Sequence, residues 1–239
     1  MNQDLVTLLL AVVAGYAFGS VPAVFLFVKA RTGVDLRQAG SGNVGLSNAI
    51  QQAGLGIAGP IIAYEVFVKG ALPVFLASRF VLDLGMSVQV AVGLAVLAGH
   101  NWPIFLGFRG GRGLAPSIGV LLALNPLLLV AYGAVAAGLW LFTRSSPVAW
   151  LISMFALPGW VVAFRLPGEL FIFVGVYTAI IIFRRSLGNW PGPQVERVFA
   201  ANNGRILLNR IILDRDVASR DEWLKRRPRA QSGEEVERP

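Results

Sequence analysis

Residues 5–28 read LVTLLLAVVAGYAFGSVPAVFLFV without one charged side chain. A run of this length is what an α-helix needs to cross a hydrocarbon core roughly 30 Å thick. The only charge before it is Asp4, so the positively charged start of a cleaved signal is missing and the segment is expected to remain as a membrane helix. The pattern repeats along the chain: Ala53 to Ala77, Leu84 to Ala98, Leu114 to Leu124, an Asn125-Pro126 break, Leu127 to Phe142, Pro147 to Phe164, and Gly168 to Phe183. With 55% hydrophobic residues, 14% charged residues and a mean hydropathy of +0.64, an ordinary soluble domain is excluded.

The segment Leu114 to Phe142 is either one proline-kinked helix or two short ones, and the choice decides on which side the chain ends. The positive-inside rule separates the cases. Seven spans with the N-terminus outside place Lys29, Arg31, Arg37, Arg109, Arg112, Arg144, Arg184 and Arg185 in the cytoplasm, leaving Arg79 and Arg165 outside. Six spans would put the basic tail outside. The expected architecture is therefore an all-α integral membrane protein of about seven transmembrane helices with a cytoplasmic C-terminus. Residues 1–185 form the membrane domain and 186–239 a basic cytoplasmic tail.

Two polar islands interrupt the apolar helices: Gly40-Ser41-Gly42-Asn43-Val44-Gly45-Leu46-Ser47-Asn48 and Gly107-Phe108-Arg109-Gly110-Gly111-Arg112-Gly113. Irregular polar backbone at a membrane survives where protein or a water-filled cavity satisfies it, so both islands are site candidates. Serine and asparagine supply hydroxyl and amide groups in the first, where glycines allow close backbone approach. In the second, two arginines separated by two glycines suit a phosphate held by guanidinium groups and a backbone nest. A nucleotide P-loop is absent. The plainer alternatives are close packing for the glycines and anchoring at the lipid surface for the arginines.

Absence of cysteine and a single histidine, His100, remove thiolate chemistry and cysteine-rich or histidine-rich metal sites. No cofactor or metal is expected. The formal charge of +8 and pI near 10.8 are assigned to orientation and anionic lipid rather than nucleic acid. Glu65 and Lys69 lie one turn apart inside the second span and read as a structural pair before a catalytic one. A lone histidine is likewise more often structural than a general base.

The first island, the Lys69-Gly70 pair, and Gly99-His100-Asn101-Trp102-Pro103-Ile104-Phe105 running into the second island resemble the bacterial acyl-phosphate:glycerol-3-phosphate acyltransferases of the PlsY type. The resemblance covers residues 5 to 185. It implies a multi-pass enzyme of the bacterial inner membrane that moves a fatty acyl group from acyl phosphate to glycerol 3-phosphate, giving lysophosphatidic acid. Carried over by residue, it implies Ser41, Asn43, Asn48 and His100 as catalytic. Gly42, Ser47, Arg109, Gly111 and Arg112 would bind substrate and phosphate.

The chain departs from the family pattern in two places. Gln51 stands where relatives carry an arginine, and the third motif, His-Arg-Glu-Asn-Ile, is not recognisable in Phe183-Arg184-Arg185-Ser186-Leu187-Gly188-Asn189. These losses define the alternative, a non-catalytic phosphate- or lipid-binding relative. A transporter is disfavoured because no internal repeat is visible. Residues 205–213 of the tail are expected to lie as a helix on the inner leaflet or to extend without catalytic consequence. The end from Lys225, rich in proline, arginine and glutamate, is expected to be disordered.

Overall fold

The computed structural model describes residues 3–78, 81–188 and 204–219. Arg79, Asn189 and the chain from 220, Lys225 onward included, lie outside the described residues. Among the described residues there are helices and turns and no strand. The helices are α1 (Gln3–Gly19), α2 (Ala23–Thr32), α3 (Leu46–Ala53), α4 (Leu55–Ala77), α5 (Gly85–Asn101), α6 (Leu114–Leu124), α7 (Pro126–Thr143), α8 (Ser146–Ala163), α9 (Glu169–Leu187) and α10 (204–213).

Six helical stretches among these residues are long and apolar enough to cross a membrane, counting Gln3–Thr32 across its break; α6 is shorter. That break falls where Pro22 has no N–H to donate, and Ser20 turns its hydroxyl back onto the Tyr16 carbonyl at 2.8 Å. Asn125 ends α6 and starts α7 in an extended conformation, and its side chain accepts from Leu128 N at 2.8 Å. The stretch is thus two helices with an N-cap between them, not one kinked helix.

Large apolar side chains such as Val130, Phe142, Phe155 and Val162 face outward, as helices in lipid require. Packing inside relies on glycine. A methyl on Gly19 would run into the Val96 carbonyl and one on Gly99 into that of Tyr16, so α1 and α5 meet backbone to backbone. Gly70 and Gly119 do the same between α4 and α6. In α4, Tyr64–Ala71 is a π-helical stretch that buries Glu65, Val66, Lys69 and Gly70 on one face. Such widened turns recur at functional sites.

Candidate functional site

Both islands meet at one end of the bundle. The first is shaped by Asn48. Its Nδ2 donates to the carbonyls of Leu36 (3.1 Å), Ala39 (3.0 Å) and Asn43 (3.0 Å), while its Oδ1 accepts from Ser41 N at 3.4 Å. The amide thus closes the loop from within, beside whatever part it has toward substrate. Gly40 and Gly42 have φ of +55° and +69°, the left-handed region that glycine enters without strain. Ser41 is buried, and its hydroxyl accepts from Asn43 N at 3.4 Å. Asn43 keeps a buried Oδ1 without a hydrogen bond. Ser47 lies on the exposed side of α3.

The second island folds back onto the end of α5. Gly110 N and Gly111 N donate to the carbonyls of Asn101 and His100, both at 3.2 Å. The expected nest is not built from these two N–H groups, because the helix end already uses them. A methyl on Gly111 would collide with the His100 ring and come within 3.0 Å of the Val44 carbonyl oxygen, so the islands touch through backbone. Arg109 is exposed whereas the Arg112 side chain is 9% exposed. The paired guanidinium clamp expected from their spacing is thus divided into one surface and one interior cation.

His100 is held from beneath. Glu65 Oε2 stands 3.0 Å from its Nδ1, and Glu65 Oε1 pairs with Lys69 Nζ at 2.6 Å. The carboxylate therefore serves two partners, where the sequence suggests only the helical pair. All three are buried, at 1%, 2% and 8% exposure for Glu65, Lys69 and His100. A narrow cleft at this junction is lined by Ser20, Pro22, Val44, Glu65, His100 and Gly111, among others.

Two residues that the sequence presents as cytoplasmic anchors enter the site. Arg184 donates to Gly110 O at 2.8 Å and to Gly188 O at 2.9 Å. Arg185 donates to Pro147 O at 3.1 Å and Ile211 O at 3.0 Å. The place of the unrecognised third motif is thus filled by arginines, one of which reaches the second island directly. Their local signal is only a doublet at a helix end. Arg112 forms an ion pair with Asp214, whose backbone carbonyl also accepts from Arg112 Nη2 at 3.2 Å. Burial lowers the Arg112 pKa against the pull of Asp214, and burial raises that of Asp214 against the pull of Arg112. Buried donors at Arg112 Nη1, Arg184 Nε and Arg185 Nε make no hydrogen bond, nor do both polar atoms of Asn101. Such groups are uncommon in a closed core.

The described arrangement has relatives. A family model, "Glycerol-3-phosphate acyltransferase", matches residues 9–189. Glycerol-3-phosphate acyltransferase 5 of Dehalococcoides mccartyi is 37% identical over 233 residues, covering 94% of this chain and 95% of its own. That coverage includes part of the segment beyond residue 189. The glycerol-3-phosphate acyltransferase of Methylorubrum populi is 35% identical and covers 83% of this chain and 93% of its own. The crystal structure of PlsY (YgiH), an integral membrane glycerol 3-phosphate acyltransferase in its glycerol 3-phosphate form, superposes with a TM-score of 0.69 at 28% identity, covering 82% of this chain and 93% of that one. Its lysophosphatidic acid form gives 0.67 at 26% identity, with the same coverage. By sequence and by fold, this chain belongs to the glycerol-3-phosphate acyltransferase family.

Proposed function

We propose that the chain transfers a fatty acyl group from acyl phosphate to glycerol 3-phosphate, forming lysophosphatidic acid for phospholipid synthesis in a bacterial inner membrane. The observation that carries this reading is the convergence of Arg112, Arg184 and Arg185 at the second glycine island, which touches the first through Gly111 and Val44. The relatives' substrate and product support the acceptor; the donor rests on the resemblance. Orientation follows from the cations: the islands and the arginine end of α9 share one end of the bundle, and the positive-inside rule makes that end cytoplasmic. The short α6 cannot cross the hydrocarbon alone and serves as a partly re-entrant seventh segment.

Acyl phosphate already carries a good leaving group, so the protein mainly positions the hydroxyl and neutralises phosphate. Arg112 holds a phosphate, Arg109 attracts one from the surface, and Ser41 and Asn43 orient the acceptor. Gly42 and Gly111 give the backbone the room to approach. Ser47 borders the entrance. The hydroxyl oxygen attacks the acyl carbonyl carbon, the bond from that carbon to the phosphate oxygen breaks, and the departing phosphate takes the hydroxyl proton. His100, braced by Glu65, supports the second island instead of acting as a base.

Purified protein in nanodiscs, given acyl phosphate and glycerol 3-phosphate, should release lysophosphatidic acid and inorganic phosphate in equal amounts. Consumption of neither substrate, with binding of either retained, would establish the non-catalytic reading.

A further inference from the structure

The chain beyond α9 returns to the arginines. Asp214, just past the end of α10, pairs with Arg112 and places the same oxygen 3.7 Å from Arg185 Nε. Arg210 pairs with Asp216 and donates to the carbonyls of Ser186 (3.2 Å) and Leu187 (3.5 Å) at the end of α9, which fixes the segment on the site. Four guanidinium groups, those of Arg112, Arg184, Arg185 and Arg210, thus face two carboxylates. The cluster is left two charges positive, with buried donors on Arg112, Arg184 and Arg185 that make no hydrogen bond. A carboxylate supplies one charge and two oxygens. A phosphate monoester near neutral pH supplies up to two charges and three oxygens, a better match to both the excess charge and the idle donors.

We propose that Asp214 is a built-in competitor for substrate phosphate. Docked, its carboxylate occupies the seat on Arg112 and Arg185; a phosphate monoester displaces it and shifts the stretch just past α10, while Arg210 keeps α10 on the end of α9. The inference rests on the reading of Arg112 as a phosphate ligand, and it assigns the tail a role in setting apparent affinity. The lever is conformational: a site open for only a fraction of the time binds more weakly by that fraction.

The test uses full-length protein in nanodiscs carrying Ala218→Cys, the only cysteine, labelled with an environment-sensitive fluorophore. Inorganic phosphate and glycerol 3-phosphate, titrated separately at constant ionic strength, should each give a saturable signal that chloride does not. Asp214→Asn should move the half-point down roughly tenfold, the reciprocal of an open fraction near one in ten. It should lower the KM for glycerol 3-phosphate by the same factor with kcat unchanged. Asp214→Glu, which keeps the charge, should stay near the native half-point. A native label silent to both phosphates, or an Asp214→Asn variant with an unchanged or higher KM, overturns the proposal while lysophosphatidic acid is still formed. A responsive label in a protein that makes no lysophosphatidic acid keeps the competitor and removes the reaction.

Discussion

The island at 40–48 is held by a neutral amide, whereas the one at 107–113 ends among charges. Asn48 closes the first with hydrogen bonds reaching no further than Leu36, twelve residues away. The second has its two central N–H groups used by α5, and its Arg112 is paired across 102 residues of sequence. One loop is therefore a locally determined shape, and the other an electrostatic seat assembled from distant parts. Changes at Asn48 should register chiefly as stability, and changes at Arg112 as affinity and turnover.

The largest effect expected is at Asn48. Asn48→Ala removes two N–H donors, shared among three carbonyls, and one acceptor, and at about 1 kcal/mol for each the sum is about 3 kcal/mol. Thermal unfolding in detergent should shift down accordingly; an unshifted melting curve would mean that the first island does not depend on its amide. Next comes Arg112→Ala, which should raise the barrier to acyl transfer by about 1.5 to 3 kcal/mol through loss of a charge-assisted contact. Arg112→Lys should retain part of the rate, because charge matters there more than a planar fork. An unchanged rate for alanine would reduce the second island to an anchoring turn.

A smaller effect tests whether the first island also touches substrate. Gln51 is exposed and brings its Oε1 close to Gly40 in the first loop. Gln51→Arg should lower the apparent KM for glycerol 3-phosphate about tenfold, equivalent to about 1.4 kcal/mol. An unchanged KM would show that residue 51 does not face the acceptor. The smallest effect concerns the support beneath that loop. Asp35 accepts from Arg37 Nε at 3.0 Å, and this bond holds its carboxyl below the usual carboxylate range. The associated stability is present above the unfolded carboxylate pKa of about 4 and is lost as pH falls through the lower folded value. Melting temperature against pH should therefore drop on the acid side, and Asp35→Asn should remove that part of the slope.

Much of this contrast can be read from residues alone, and the unread part has a common cause. Gly40 and Gly42 are legible because a polar, glycine-rich break in apolar helix has few other uses. The Asn125-Pro126 pair likewise announces a helix end and a helix start. Asn48 stands out in the sequence as a member of the first island, but its role is not legible, since a side-chain amide serves loop and ligand with the same atoms. Arg184 and Arg185 are indistinguishable from lipid anchors, because a doublet at a helix end has the same composition either way. Glu65 is half legible: its partner Lys69 lies one turn away, but its partner His100 comes from another helix.

By itself, then, the chain's sequence determined the membrane class, the apolar helices, the places where they break and the glycines at which backbones turn or touch. These depend on hydrophobic runs, missing N–H donors and allowed φ, which act over a few residues. Tertiary structure alone decided which N–H groups remained for a ligand, that Arg109 and Arg112 face different surroundings, and that Asp214 lies on the arginines. Charges find partners by proximity in space, and nothing in the spacing between residues 112 and 214 records that they meet.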